Sequence, residues 1–475
     1  MTHTVDKTAA EEGELVESLT QRLATFTSDL GYDDLPEDVV SHAMLCVLDA
    51  VGCGLFASTL PWCRIVNELV AERSAAGRST VWGTDLKVAS DGAALANGTS
   101  GHGFELDDIH PGGMHPGPLA VSVALALGEE LDRTGPEVLT AVVAGYEVGC
   151  RVAMALLKDH AKAGFHAQGT VGAYVAVATA GRLLRLSPDE MRHAFAIVGS
   201  MGAGLLAAQE GGMTKRLHSG RAAQSGLLAA LLASKGFTGI PDVLENSFGG
   251  FLKAMGGSAE QLAPHTEDLG STWETRRVGF KIYPSCGGTH SALHAARELR
   301  REHELGAEEV VGVTVHGSSH AFMKVGAPYV PQGVTGAQMN LAFTMALVLR
   351  FGEVPLDRLS DEGIVEAETL DLAARIHMFA DPAIDALGPS GRHASRVSIE
   401  LADGRTVEHE VRHRPGSEKM PVSPTDVREK FRGLAGSTLP ADQVRELERT
   451  VFSLTTITDL ATLCRLLAAP GAPNR

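Results

Sequence analysis

A helix-type spacing of apolar residues, sustained from about residue 13 to residue 270, most constrains what this 475-residue chain can fold into. Val16, Leu19, Leu23 and Phe26 lie three or four residues apart, which places them on one face of a helix. Aromatic residues make up only 5% of the chain whereas glycine occurs 53 times, and this composition favours closely packed helices over a β-sandwich. We expect a mainly α protein that buries a large core without needing a disulfide or a metal.

The pattern changes near residue 275. The segments 278–283 and 310–315 are typical of strands, and the segment 289–303 is typical of an amphipathic helix. Two alternating segments flank Asp403-Gly404, which is a strong hairpin signal. Helical spacing returns after about residue 415, so an α+β segment interrupts a helical body.

The predicted fold class is therefore a large all-α helical domain with an inserted, smaller α+β domain. We place the helical domain at residues 13–274 plus 413–475 and the insert at residues 275–412. Residues 1–12 are expected to form an unstructured tail.

The charge excludes several classes of partner. Lys and Arg total 41 against 58 for Asp and Glu, which gives a net charge of −17. An acidic chain without a basic run is a poor candidate for binding nucleic acid or an anionic membrane. The start of the chain lacks the features of a signal peptide, and no apolar run reaches about 18 residues, so we expect a cytoplasmic protein that does not span a membrane.

The first chemically unusual stretch is a Gly/Pro-rich loop that the helical pattern predicts between two helices. It holds three acids and three histidines, all candidates for a site: Glu105, Asp107, Asp108, His102, His110 and His115. Reactive side chains are commonly placed on loops held by rigid elements. A solvated acidic loop and a metal site are the alternatives at this point, since carboxylates and imidazoles together can bind a metal ion.

Three further stretches carry candidate groups. His166 precedes a long apolar helix, where the helix dipole disfavours its cation, so it is either a neutral imidazole that can take a proton or, as the residue alone favours, a histidine that merely caps the helix. Lys215 and Arg216 follow a glycine turn at a helix start, where cations suggest an anion site, with surface cations on a loop as the alternative. Lys281 lies where the helical body should meet the insert, a common place for a pocket. No partner base is identifiable for Cys286, and the six cysteines lack zinc or iron–sulfur spacing.

Four segments of the chain together resemble the MmgE/PrpD family, which contains 2-methylcitrate dehydratase, cis-aconitate decarboxylase and iminodisuccinate epimerase. The segments are NGTSGHGFELDDIHPGGMHPG, GFHAQGTVGA, GGMTKRLHSGRAAQSG and GFKIYPSCGGTHSA. The resemblance implies an all-α domain with a smaller α+β lid domain, an active site between them and a homodimer. It also implies a cofactor-free enzyme that acts on small di- or tricarboxylates.

The resemblance also implies which residues do the chemistry. The family's active-site positions match His115, His166, Lys215 and Lys281, with Glu105 where several members have Asp. Substrate-binding candidates are the remaining charged neighbours: Asp107, Asp108, His110, Arg216 and His102. Ile109 stands where dehydratase and decarboxylase members often have Thr.

Dehydration, decarboxylation and epimerisation share one requirement, because a carbon near a carboxylate must carry negative charge or exchange a proton. Fixed cations must therefore neutralise the substrate carboxylates, and Lys215 and Lys281 suit that role. We expect His166 to act as base and His115 as acid, with the reverse order open. The acidic side chains of the loop would orient or charge a histidine.

A cofactor-independent lyase, either a dehydratase or a decarboxylase, is the function that the sequence favours, and of these two the dehydratase is the one expected first. An epimerase or other isomerase of a substituted dicarboxylate is the first alternative. A non-catalytic helical dimer that binds a carboxylate metabolite is the second alternative.

Overall fold

The computed structural model describes residues 18–469, so the predicted tail at 1–12 lies outside the described residues. As expected, the described chain is mainly α-helical. The helices up to residue 262 are Leu19–Asp29, Glu37–Ser58, Pro61–Arg73, Ser90–Gly101, Gly117–Glu130, Gly135–Lys162, Ala167–Thr170, Gly172–Leu184, Pro188–Gly199, Thr214–Ala233, Phe251–Ala254 and Ala259–Leu262. The later helices are His290–Glu302, Ser319–Val325, Val334–Gln338, Leu341–Phe351, Ala367–Ala373, Pro382–Asp385, Pro424–Ala435, Ala441–Phe452 and Ala461–Arg465.

Local sequence signals fix several of these helix starts. The Thr134 hydroxyl accepts from the backbone of Glu137 and the Glu137 carboxylate accepts from the backbone of Thr134, which is a capping box followed by Pro136. The same reciprocal arrangement joins Ser187 to Glu190 at the start of the helix Pro188–Gly199. These caps satisfy backbone N–H groups that have no partner within the helix.

One large hydrophobic core unites residues from both ends of the chain. Its buried members run from Leu23 to Phe280 and resume at Val427, so the C-terminal helices pack back onto the N-terminal body. Leu48, Tyr146 and Tyr174 are each at most 1% exposed within it. We call residues 18–282 and 412–469 the helical part.

A second core lies mostly in residues 283–411, which we call the α+β part, and it also includes Cys53, Phe104, Leu106 and Leu434 of the helical part. Its mixed four-stranded sheet is formed by strands β3 to β6, whereas β1 (Ala76–Thr80) and β2 (Lys87–Val88) pair separately. The four strands are β3 (Val310–Gly317), β4 (Ile376–Ala380), β5 (Ser395–Leu401) and β6 (Thr406–Val411).

The order across the sheet is β4-β3-β5-β6, with β3 and β4 parallel and the other pairs antiparallel. The expected hairpin at Asp403-Gly404 is confirmed, with Ser395 opposite Val411 and Glu400 opposite Thr406. The helix His290–Glu302 contacts β5 and β6, and this contact buries one face of the sheet. That 275–412 forms a separate lid stays a prediction.

One sequence expectation for local structure was wrong. The segment 278–283 is not a strand, because only Gly279 forms a bridge, to Ile109, and the chain around it is irregular.

Two helices, Glu37–Ser58 and Gly135–Lys162, contain segments long and apolar enough to cross a membrane by length and composition alone. The apolar windows are 72% and 94% buried inside the fold, respectively. They therefore resemble the core helices of a helical domain, and the expectation that the chain does not span a membrane stays a prediction.

Candidate active site

The acidic loop between the helices Ser90–Gly101 and Gly117–Glu130 is held in place by Asp108. Its carboxylate accepts a hydrogen bond from the Gly117 backbone N–H at 3.0 Å and one from the Tyr146 hydroxyl at 3.0 Å. Burial, together with Asp107 and Asp49 nearby, raises the pKa of Asp108 well above its usual value. Asp108 therefore anchors the loop to the helices behind it.

Glu105 is the centre of the charged cluster. Its carboxylate accepts hydrogen bonds from the Lys215 ammonium, from Lys281 Nζ at 2.8 Å and from Arg216 Nη1 at 2.7 Å. All of these side chains are at most 3% exposed. Burial alone would raise the pKa of Glu105, but the three cations hold it well below its usual value. Glu105 is thus ionised and fixes two lysines that come from distant segments.

Asp107 connects this charge cluster to the histidines. It accepts from His102 Nδ1 at 2.6 Å and from Lys281 Nζ at 3.3 Å, and its Oδ2 lies 3.4 Å from His115 Nδ1. Although burial would raise the pKa of Asp107, His115, Lys281 and His102 lower it. His102 in turn faces Lys215, with 3.3 Å between His102 Nε2 and Lys215 Nζ.

The tautomer of His115 follows from its partner. Its Nδ1 lies 2.5 Å from the Asp108 carbonyl oxygen, which can only accept, so Nδ1 carries the proton and Nε2 is left with its lone pair. Burial is the main reason why the pKa of His115 is lowered to about 3, although the charge of the nearby Asp107 acts to raise it. His115 is therefore a neutral imidazole before substrate binds, which fits a base or acceptor better than the expected acid.

His166 is also neutral, as expected, but burial rather than a helix dipole is the main cause. Burial and the charge of Lys215 hold the pKa of His166 well below its usual value. Its Nδ1 lies 2.8 Å from Nδ1 of His218, which is not among the predicted site residues. His218 follows Lys215 by three residues on one helix, and that spacing was the available signal.

The protonation of the two lysines differs. Burial lowers the pKa of Lys215 to about 8, with Arg216 and Lys281 acting in the same direction against Glu105. Burial also opposes the charge on Lys281, but Glu105 and Asp107 raise its pKa overall. Lys281 is thus a fixed cation, whereas Lys215 holds a proton that it can release near neutral pH.

A cavity lies between the helical part and the α+β part, next to this cluster. From the predicted set it is lined by Glu105, His110, His115, His166 and Lys215. From the α+β part it is lined by Cys286, Gly287, Gly288, His320, Ala321, Lys324, Met339, Arg392 and His393. Lys324, Arg392 and His393 were missed, because nothing in the sequence near them resembles a motif.

The predicted residues are not all equally placed. Lys281, Arg216, His102 and Asp107 lie behind the cavity surface and contact the groups that line it. His110 lines the cavity, and its Nε2 donates to Glu274 at 2.8 Å while its Nδ1 accepts from the Gly112 N–H. Ile109 lines the cavity with an apolar side chain.

His102, Asp107 and His115 are close enough to hold a metal ion, since one ligand atom from each lies within 4.8 Å of the others. However, the Asp107 carboxylate already accepts from the Lys281 ammonium, and His115 Nδ1 is bonded to a carbonyl. These charges and contacts fit an organic anion, bound by lysines, better than a divalent cation.

Comparison with known proteins assigns the chain to a family. Residues 21–262 match the MmgE/PrpD N-terminal domain and residues 283–455 match the MmgE/PrpD C-terminal domain. The fold is mainly helical, and it carries a buried lysine–carboxylate–histidine cluster beside a cavity. The chain belongs to the MmgE/PrpD family.

The relatives are lyases. Cis-aconitate decarboxylase of Aspergillus terreus (strain NIH 2624 / FGSC A1156) is 30% identical, over 95% of this chain and 96% of its own length. Cis-aconitate decarboxylase of Homo sapiens is 28% identical over 97% of this chain and 96% of its own length. The 2-methylcitrate dehydratase of Escherichia coli (strain K12) is 24% identical over 80% of this chain and 82% of its own length. The chain is an enzyme, a lyase of the MmgE/PrpD type.

Proposed function

We propose that this lyase is a cofactor-independent decarboxylase of an unsaturated tricarboxylate of the cis-aconitate type. The observation that supports the proposal is the Glu105 cluster, which holds Lys215 at one cavity wall and Lys281 directly behind that wall. Relatives that bear the name cis-aconitate decarboxylase match this chain over nearly its whole length. The lysines supply the positive charge that such a substrate needs.

Loss of CO₂ from such an acid breaks a carbon–carbon bond beside the double bond. The electron pair forms a new double bond, and the old double bond shifts its pair towards a remaining carboxylate. That carboxylate must be stabilised by fixed cations, and one proton must then be added to carbon. The reaction consumes one proton and releases one CO₂.

Lys215 is the proton donor that we propose for this last step. It lines the cavity, and with a pKa of about 8 it is protonated at neutral pH yet weakly acidic. Lys281 keeps its charge throughout and holds Glu105 and Asp107 in place. His115 and His166, both neutral, contact the substrate carboxylates, and the bound anion raises their pKa values.

Small acids supplied separately to the purified protein test this function. The panel is cis-aconitate, citrate, 2-methylcitrate and iminodisuccinate, with CO₂ release and product mass as readouts and EDTA-treated protein as a parallel sample. We expect CO₂ from cis-aconitate at the same rate with and without EDTA. Loss of water from 2-methylcitrate alone would make the enzyme a dehydratase. Inversion without loss of mass would make it an epimerase.

A further inference from the structure

We propose that Lys324 and Arg392 of the α+β part, with Arg414 of the helical part beside Gly287, form a carboxylate subsite at the cavity wall opposite the Glu105 cluster. The subsite binds a carboxylate of the substrate that is not lost in the reaction. The inference rests on the proposed function for the identity of the substrate, but the subsite itself is defined by these three cations.

The positions of two of the cations place them on the cavity. Lys324 belongs to the helix Ser319–Val325, and Arg392 directly follows the short 3₁₀ turn Gly388–Gly391; both line the cavity. Glu105 is the one carboxylate among the lining residues that the structure describes, and it belongs to the other wall. The α+β wall thus offers positive charge and contributes no acidic side chain of its own to the cavity, although Glu105 interacts electrostatically with Lys324.

Buried side-chain nitrogens without hydrogen-bond acceptors indicate that this part of the protein binds a ligand. Within residues 18–469, Arg392 Nε and Arg414 Nη1 are buried and have no hydrogen-bond partner, and Arg414 is only 5% exposed. His393 Nδ1, on the α+β wall of the cavity, is also buried and has no hydrogen-bond partner. Leaving such groups unpaired is costly, so a ligand that brings acceptor oxygens is favoured.

A hydrogen bond connects the subsite to the acidic loop. Arg392 Nη1 donates to the Pro111 carbonyl at 3.1 Å, and the Arg392 carbonyl accepts from the Ser318 hydroxyl at 2.7 Å. Pro111 lies four residues before His115. Arg392 therefore joins the two walls, and a tricarboxylate that fills the cavity contacts Lys215 at one end and Arg392 at the other.

The local field agrees with an anion site. Burial, joined by the charge of Arg392, lowers the pKa of Arg414 to about 10 and that of Lys324 below its usual value. Burial and the same cations hold the pKa of His393 well below its usual value. An anion bound here would relieve this mutual repulsion of like charges.

Alkylation of Cys286 reports on the subsite without requiring the enzyme to turn over a substrate. Its thiol is half-buried, lines the cavity and interacts electrostatically with Lys324, Arg392 and Arg414. The other five cysteines are buried. Iodoacetate carries a carboxylate and iodoacetamide does not, while both alkylate a thiolate with loss of iodide. A carboxylate subsite should therefore accelerate the anionic reagent selectively.

The experiment measures the alkylation rate of Cys286 by mass spectrometry with each reagent. It compares the wild type with Arg392→Gln, Lys324→Gln and the exposed control Arg301→Gln, after thermal melting has shown that each variant is folded. We expect the iodoacetate to iodoacetamide ratio to fall about tenfold or more in the two subsite variants and to stay unchanged in the control. Equal ratios in wild type and subsite variants would overturn the subsite.

A calorimetric titration with propane-1,2,3-tricarboxylate, a saturated probe, gives a second readout. Its Kd should rise about tenfold or more in Arg392→Gln and Lys324→Gln, and an unchanged Kd would overturn the subsite even if Cys286 reacts slowly. These results are separable from the proposed function. If cis-aconitate is not decarboxylated but the ratio and the Kd respond as expected, the subsite stands and only the identity of the substrate fails.

Discussion

Lys281 Nζ donates to Glu105 Oε2 at 2.8 Å, although 176 residues separate them in the chain. Lys281 lies in the irregular segment that leads into the α+β part, and Glu105 lies in the loop of the helical part. Both side chains are at most 3% exposed. The charged centre of the site is thus built across the junction of the two parts and depends on their correct packing.

Removing the Glu105 charge should destabilise the fold. Glu105→Gln leaves Lys215, Lys281 and Arg216 buried around a neutral amide, and breaking a buried ion pair costs about 3–5 kcal/mol. Urea denaturation at pH 7 measures this loss. Glu418→Gln, at a partly exposed ion pair with Arg277, is the control and should change stability by less than about 1 kcal/mol. Equal stability of Glu105→Gln and wild type would contradict the role of Glu105.

The same carboxylate predicts a pH dependence of stability. Because the pKa of Glu105 is lower in the folded than in the unfolded state, its contribution is complete above the ordinary value of 4.5. The contribution is lost as the pH falls below 4.5 towards the folded-state pKa. Denaturation curves between pH 3 and 7 should therefore be less pH-dependent for Glu105→Gln than for wild type, and parallel curves would contradict this.

The pKa of Lys215 leads us to expect that activity declines at alkaline pH. The ammonium form of Lys215 predominates below its pKa of about 8, so kcat/KM should be constant just below that pH and decline above it. With the substrate anion bound, the pKa rises and the decline of kcat should begin at a higher pH. A kcat/KM profile that stays flat to pH 10 would contradict the assignment.

Lys215→Arg separates charge from proton donation. A guanidinium keeps its positive charge but does not release a proton in this pH range. We expect kcat to fall about 100-fold or more with KM changed little, and the alkaline decline near pH 8 to disappear. His115→Gln also lowers kcat but should retain that decline. If the decline persists in Lys215→Arg and is absent in His115→Gln, the proton donor is His115.

Gln168 is a positioning residue for His115. Its side-chain oxygen accepts a hydrogen bond from the backbone N–H of His115 at 3.0 Å, and its side-chain NH₂ donates to the backbone carbonyl of His115 at 2.8 Å. Gln168→Leu should lower kcat more than it raises KM and cost about 1–3 kcal/mol of stability for each group left unpaired. Gln168→Glu keeps the acceptor and should recover part of kcat. No recovery, with both variants equally inactive, would contradict a positioning role.

The residues of the charged cluster could be predicted from sequence because they lie in unusual local settings. Three acids and three histidines occur in one Gly/Pro loop, and the predicted lysines flank turns; the structure brings Glu105, Lys215 and Lys281 together. The pattern could not tell which loop side chains face the cavity. Asp108 turns towards Gly117 and Tyr146 instead, because its carboxylate satisfies the next helix start.

The opposite wall of the cavity could not be predicted. Lys324 and Arg392 are 68 residues apart and lie in ordinary-looking helix and turn sequence, and only the sheet topology of the α+β part brings them to one wall. The segment 278–283 is typical of a strand in its residue types. It has no neighbouring strand to pair with, since it runs along the acidic loop and bridges only Ile109.

The most direct test of the account is proton NMR of the purified enzyme with cis-aconitate in D₂O, with Lys215→Arg and Lys281→Met alongside. The account predicts loss of CO₂ and a dicarboxylate product that has gained one deuterium at the carbon that received the proton, strongly slowed in both variants. Deuterium exchange into cis-aconitate without loss of CO₂, or addition of water as the sole reaction, would contradict decarboxylation by this site.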